Sequence, residues 1–294
     1  MTSDIIAAQS SFIEPEEFQA RIIDKVSAGL LKDGAQPVLL RAPTGSGKTF
    51  MIARILDRVT NKSPTLWLWF VPFLNLVQQT EDSIASNAKA LSPVSLVNGR
   101  NQAPTSGLVA ISTAAAVARA KSRREGYADG EDDTTRSMDQ HIALARAMGL
   151  KIGLVVDEAH IGVDSQTEFG QFVAWLKPDR MLMATATPKD QRLVDFIQSA
   201  GYSSYQTFNV SRDEVVQARL NKRYIEAIVY DLRQSMQTVT DLQQTVLKQA
   251  WRQNQRLARR LQELGIPIVP LLLVQVHSEE KSVEKVKVKL LALG

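Results

Sequence analysis

The stretch "LLRAPTGSGKTF", residues 39 to 50, constrains the fold of this 294-residue chain more than any other. Val38, Leu39 and Leu40 read as a buried strand, and Met51, Ile52, Ile55, Leu56 and Val59 fall on one face of a helix. The local order is therefore strand, glycine-rich turn, helix. In that order Gly45 and Gly47 let the backbone wind with its N–H groups inward, and the new helix aims the positive end of its dipole at the same spot. Such a turn suits a phosphate chain, with Lys48 reaching the β and γ phosphates and the Thr49 hydroxyl taking a place on Mg²⁺. Ala42 occupies the position where the usual pattern opens with glycine, and a turn that is merely structural is the competing reading.

Further apolar runs follow: "TLWLWFVP" (65 to 72), "VSLVNG" (94 to 99), "GLVAIST" (107 to 113), "IGLVVDEAH" (152 to 160) and "RMLMATATP" (180 to 188). Each is short and β-rich, then gives way to turn residues and a stretch of helical character. This alternation predicts an α/β fold, a mostly parallel sheet with helices on both faces, whose ligands bind at the carboxyl ends of the strands. Those ends are where the runs carry their polar residues.

"IGLVVDEAH" ends a buried strand on two adjacent acids, and burying ionised carboxylates is costly without a compensating cation. Magnesium supplies one. Asp157 then holds the metal, directly or through water, and Glu158 takes a proton from the water attacking a γ-phosphate. A helix cap just past a strand is the plainer alternative for such a pair.

Bulk properties exclude little. A formal net charge of +4 and a pI near 9.2 permit a polyanionic partner without requiring one. The absence of cysteine rules out disulfides and thiolate metal sites. The amino end lacks a basic region followed by an apolar core, and no apolar run is long enough to span a bilayer, so the expectation is a cytoplasmic protein without a membrane partner.

"APTGSGKT", "DEAH" and "TATP", in this order and spacing, resemble motifs I, II and III of superfamily 2 helicases and translocases, the DEAD/DEAH-box-like group. "WFVPFLNLVQQT" and "NVSRDEVVQARLNKRYIEAI" narrow the likeness to the motor (Res) subunit of type III restriction enzymes. The resemblance implies a RecA-like P-loop NTPase in which Thr44, Gly45, Ser46, Gly47, Lys48 and Thr49 bind ATP, Thr49 and Asp157 bind Mg²⁺, and Glu158 is the general base. It implies that His160 links the nucleotide site to a loop where Thr185 and Thr187 couple hydrolysis to movement. It also implies that Gln79 lies in a loop facing a nucleic-acid backbone, although Leu74 fills the slot of the family's common arginine, and that Ser112 and Thr113 place hydroxyls near phosphates, with packing of small residues as the equal alternative. Upstream, "PEEFQARII" resembles the adenine-contacting segment, with Phe18 stacking on the base and Gln19 bonding its edge. An amphipathic helix with Phe18, Ile22, Ile23 and Val26 in the core explains the same residues equally well.

Residues 119 to 140 form a polar run, basic and then acidic, read as a solvated insertion, with a contact through Arg119, Lys121, Arg123 and Arg124 as the alternative. Residues 231 to 264 predict a long helix with Leu242, Val246, Leu257, Leu261 and Leu264 near one face. Lys248, Arg252, Arg256 and Arg260 recur along another, a spacing suited either to a phosphate backbone or to a solvated face. "PIVPLLLVQVHSEE" resembles the first strand of a second RecA-like domain, and no arginine-rich "Q-x-x-G-R-x-x-R" stretch follows it.

The expected organisation is an ATP-binding domain over 1 to 200, then a linker, basic helix and incomplete second RecA-like domain over 201 to 294. The expected activity is ATP hydrolysis driving movement on nucleic acid, with double-stranded DNA as the track. Expected partners are a methyltransferase or specificity subunit, or the missing motor half. A truncated module that binds nucleotide and nucleic acid without turnover is the rival reading, and a small-molecule kinase accounts for the loop but not for "DEAH" with "TATP".

Overall fold

Six of the short runs, and one segment that no apolar run announces, become strands because each finds a neighbour on at least one side. β1 (Val38–Arg41), β2 (Thr65–Val71), β3 (Ser92–Ser95), β4 (Leu108–Thr113), β5 (Lys151–Val156), β6 (Arg180–Thr185) and β7 (Gln206–Asn209) form one sheet in the order β3-β4-β2-β5-β6-β1-β7. Every pairing is parallel. The computed structural model describes residues 13–32, 34, 36–118, 136–159, 168–186, 190–222, 239–275 and 280–292.

Parallel neighbours need crossovers rather than hairpins. The crossovers here contain α2 (Lys48–Lys62), α3 (Leu76–Asn87), α4 (Leu96–Asn101), α5 (Ala114–Ala118), α6 (Met138–Ala147), α7 (Glu168–Leu176) and α8 (Asp190–Ser199); α1 (Glu17–Leu30) precedes β1 and α9 (Arg212–Gln217) follows β7. Side chains alternate across a strand, so β2 serves two cores at once. Trp67, Trp69 and Val71 pack with Phe18, Ile22 and Val26 of α1 and Ile52, Ile55 and Leu56 of α2. Leu66, Leu68 and Phe70 pack with Ile142 of α6, Phe172 of α7 and Phe196 of α8. The fold is thus the expected α/β arrangement, with helices covering both faces of the sheet.

Three local differences from the sequence reading have simple causes. The run at 94 to 99 is strand only to Ser95, whose hydroxyl accepts the Asn98 N–H at 3.4 Å and caps a short helix instead. β7 was not anticipated, since "QTFN" is a half-exposed edge strand with no apolar run to announce it. Within the polar stretch 119 to 140, residues 119–135 lie outside the described residues, and Ser137 caps α6 in a reciprocal box with Gln140, so Met138 onward is helical.

The chain divides into two compact units, Met1–Tyr224 and Ile225–Gly294, a break later than the 200/201 boundary read from the sequence. The second unit contains α10 (Val239–Glu263) and α11 (Glu280–Leu291). Its apolar run, residues 266–275, is not a strand as expected, for no described residue of this unit belongs to a sheet and a strand needs a hydrogen-bonded neighbour. The inward face of α10 also departs from the expected one. Leu247 is buried, with Trp251, Asn254 and Leu261 half-buried, while Val246, Leu257 and Leu264 are exposed.

Candidate functional site

A parallel sheet sends all its carboxyl ends to one edge, and here β1 and β5, far apart in sequence, both border β6. Where β1 ends, the Ala42 N–H donates to the Thr185 carbonyl of β6 at 3.1 Å. Where β5 ends, the Asp157 N–H donates to the Phe70 carbonyl of β2 at 2.9 Å and the Ala159 N–H to the Ala184 carbonyl of β6 at 2.9 Å. The acidic turn is pinned from both sides. Between the two pins Glu158 adopts φ +50°, a left-handed conformation that costs a non-glycine residue about 1 kcal/mol. That turn accompanies a contact between the segments: Lys48 Nζ lies 3.0 Å from Glu158 Oε1.

The glycine-rich loop takes the shape its composition predicts. Gly45 and Gly47 have φ of +83° and +78°, and Gly47 opens α2 directly at Lys48. Ser46 is fully buried, yet its Oγ has no hydrogen-bond partner among the described residues. A buried hydroxyl left unpaired is costly, so this orphan fits a loop built to meet a polar ligand.

Burial and the neighbouring Glu158 carboxylate push the Asp157 carboxyl up to about 6, against the opposing pull of Lys48 and of the Glu158 N–H, which donates to Asp157 Oδ1 at 2.9 Å. A carboxylate so poorly solvated gains from a cation at its open side. No group of three or more His, Asp or Glu able to hold a metal occurs among the described residues. Asp157 and Thr49, the latter at the start of α2, are the side chains here that could hold a magnesium ion.

The structure brings Lys48, Asp157 and Glu158 to one edge, with Gly45, Ser46, Gly47 and Thr49 in the same loop and helix start. Thr185 is buried at the tip of β6, the strand between β1 and β5. His160 and Thr187 lie outside the described residues. Phe18 is buried in the core beside Ile22 and Ile23, so the packing reading accounts for most of its surface, although it also lines a cavity of about 390 Å³ with Glu16, Glu17, Arg21, Glu214 and Gln217. Gln19 is engaged at both ends: Oε1 accepts the Glu16 N–H at 3.0 Å and Nε2 donates to the Ser46 carbonyl at 2.9 Å. It braces the loop from outside.

Gln79 is exposed on α3, and Ser112 and Thr113 are half-buried at the end of β4, on the same edge but separated from β1 by β2, β5 and β6. Lys248, Arg252 and Arg256 are exposed on α10 and line a groove of about 440 Å³ with Trp251, Gln255 and Arg259. Arg260 is not in that lining and sits 3.9 Å from Glu263. Arg259 was legible in principle, because a step of three from Arg256 keeps to a helix face as well as a step of four. Asn221, whose amide donates to the Thr44 carbonyl at 2.9 Å, lies in the stretch at 209 to 228 that resembles the Res subunit, but nothing in its spacing tied it to the glycine-rich loop. No helix among the described residues is long and apolar enough to cross a membrane.

Comparison with known proteins places the chain. Residues 12–190 match the family model described as type III restriction enzyme, res subunit. No curated protein matches. Among solved structures, the Hef helicase domain of Pyrococcus furiosus is 18% identical with a TM-score of 0.47, over 80% of this chain and 46% of that one. The Sulfolobus solfataricus SWI2/SNF2 ATPase core in complex with dsDNA is 17% identical with a TM-score of 0.45, over 64% and 37%. A nuclease-deletion mutant of the Type ISP restriction-modification enzyme LlaGI is 14% identical with a TM-score of 0.46, over 71% and 21%. The chain thus spans less than half the length of each of these structures. With the family model covering most of the first unit, the loop and the acid pair included, the chain belongs to the family of Res subunits of type III restriction enzymes.

Proposed function

We propose that the first unit binds Mg·ATP at the carboxyl edge of its sheet and hydrolyses it to ADP and phosphate, driving movement on DNA as part of a restriction or defence system in the cytoplasm. The observation that carries this reading is the 3.0 Å approach of Lys48 to Glu158, which unites a phosphate-type loop and an acidic strand tip in one site. Lys48 binds the β and γ phosphates, and in doing so exchanges the Glu158 carboxylate for phosphate oxygens. Glu158, released, takes a proton from the water that attacks the γ-phosphate, a contribution of roughly 10²- to 10⁴-fold for a positioned general base. Thr49 and Asp157 hold Mg²⁺, which when bound draws charge from the phosphate oxygens. Thr185 couples the site to movement through its place beside both strands, and Phe18 and Gln19 border the region that takes the base.

The α10 groove supports a nucleic-acid track in the second unit. Lys248, Arg252, Arg256 and Arg259 line it with no acidic residue among them, and Trp251 offers an aromatic edge. A second reading, nucleotide and nucleic-acid binding without turnover, draws on the second unit, whose described residues form two helices and no sheet to present arginines to the γ-phosphate. A methyltransferase or specificity subunit is the partner that membership of this family favours.

The test measures ATP hydrolysis with and without duplex DNA, alongside nucleotide binding, for the chain and its Lys48→Ala and Glu158→Gln variants. Binding kept by Glu158→Gln and lost by Lys48→Ala is the expected pattern. Equal Mg·ATP affinity in Lys48→Ala and the unaltered chain overturns the assignment.

A further inference from the structure

We propose that Asn221 is a positioning residue for the triphosphate loop, fixing its shape from outside by holding the Thr44 carbonyl. The inference rests on the nucleotide reading of the site. A loop that turns its N–H groups toward a phosphate must turn its carbonyls away, and an outward carbonyl keeps that orientation best when something donates to it. Two carbonyls of this loop accept from side chains that lie outside it. Gln19 Nε2 holds Ser46 at 2.9 Å, and Asn221 Nδ2 holds Thr44 at 2.9 Å.

The amide of Asn221 faces the loop by necessity. Its Oδ1 accepts the Lys222 N–H at 2.7 Å, which leaves the NH₂ group for Thr44. The segment that delivers it is itself anchored. Val215 of α9 is buried in the core, and Glu214 pairs with Arg21 of α1. The helix then ends on a double closure, with the Leu220 N–H donating to the Val215 carbonyl at 3.1 Å and the Arg219 N–H to the Val216 carbonyl at 3.0 Å. Arg219 takes the left-handed position of that closure, φ +57°, where glycine is usual. The chain thereby reverses across the loop, close enough that a Cβ added at Gly45 would lie 3.4 Å from the Leu220 carbonyl oxygen. Asn221 is also near the end of the first unit, at Tyr224, so the residue that shapes the loop belongs to the segment leading to the second unit.

Asn221→Asp keeps the size and the Lys222 contact but sets an acceptor against the Thr44 carbonyl. The expected result is about a tenfold loss of affinity for a fluorescent ATP analogue with Mg²⁺. The ligand-free melting temperature should stay within about 2 °C of the unaltered chain, because an exposed contact contributes little to global stability. The melting-temperature rise on adding Mg·ATP should shrink correspondingly. Asn221→Gln, which retains the donor, should recover most of the affinity, and Asn221→Ala should fall between Gln and Asp. If the chain binds the analogue, Lys48→Ala abolishes binding and both Asn221→Asp and Asn221→Ala bind within about twofold of normal, Asn221 has no positioning role and the nucleotide reading survives. If Lys48→Ala binds as well as the unaltered chain, or the chain binds no analogue, the nucleotide reading fails and this inference with it.

Discussion

Residues 65–71, TLWLWFV, and residues 266–275, IPIVPLLLVQ, are apolar to a similar degree and end in opposite environments. All seven residues of β2 are buried, flanked by β4 and β5. In the second run Ile268 is 62% exposed, Val269 84%, and Leu271 and Leu273 each 93%. Composition does not separate them; neighbours do. β2 has a hydrogen-bonded strand on either side and helices over both faces, whereas the second run contains Pro267 and Pro270, which cannot donate to a ladder, and lies beside no strand among the described residues. Apolarity makes a strand possible, and pairing makes it one.

The contrast should be largest when a matched truncation is made in the first unit. Phe70 is 1% exposed and meets Phe169 and Phe172 edge-on, with ring centroids 5.2 and 5.6 Å apart. Phe70→Ala should cost about 3–5 kcal/mol in denaturant unfolding, through lost transfer energy and an unfilled cavity. A cost below about 1 kcal/mol would mean that this core is far looser than its burial indicates.

The legible part of the molecule was the part whose physics is local. Gly45, Gly47, Lys48 and Thr49 sit within one turn, where conformational freedom and charge are read directly from residue type. Asp157 and Glu158 were legible because two acids closing an apolar strand pose a solvation problem with few solutions. β7 was not legible, since an edge strand of four residues needs only one partner, β1, and no apolar signature. Nor was the contact of Asn221 with the Thr44 carbonyl, which depends on a chain reversal at Arg219 that residue types do not announce. The run at 266–275 misled in the other direction, because propensity is silent about whether a partner strand is present.

The next effect tests where the first unit keeps its strain. The Asp157 pKa, raised to about 6 in the fold, lies above its value in an unfolded chain, so the native state binds more protons between roughly pH 4 and 6. The cost of burying this carboxylate is therefore absent below that window and fully present above it. Asp157→Asn should raise stability by about 3 kcal/mol at pH 8, with the gain vanishing near pH 4. Affinity for Mg·ATP should be lost in the same variant. In the unaltered chain that affinity should fall as pH drops through 6, because the proton competes with the metal. A stability gain that did not vary with pH would assign it to packing instead.

A smaller effect belongs to the segment that closes α9. Arg219 holds a left-handed conformation at φ +57°, which glycine adopts without a steric penalty. Arg219→Gly should stabilise the first unit by up to about 1 kcal/mol, offset in part by the greater freedom of glycine in the unfolded chain. Loss of stability would show that the Arg219 side chain makes a contact worth more than its backbone costs.

The smallest expected effect probes the exposed run itself. Leu273, 93% exposed, gives up almost no buried surface when truncated, so Leu273→Ala should change stability by no more than about 0.5 kcal/mol, against the several expected of Phe70→Ala in the same assay. The two substitutions differ in size by little compared with their difference in environment, which makes their ratio a direct reading of how much covering each run has. A cost for Leu273→Ala approaching that of Phe70→Ala would mean that the run is covered in solution. Its dependence on protein concentration would then identify the cover: a cost that grows with concentration points to a second chain, and a constant one to residues of the same chain.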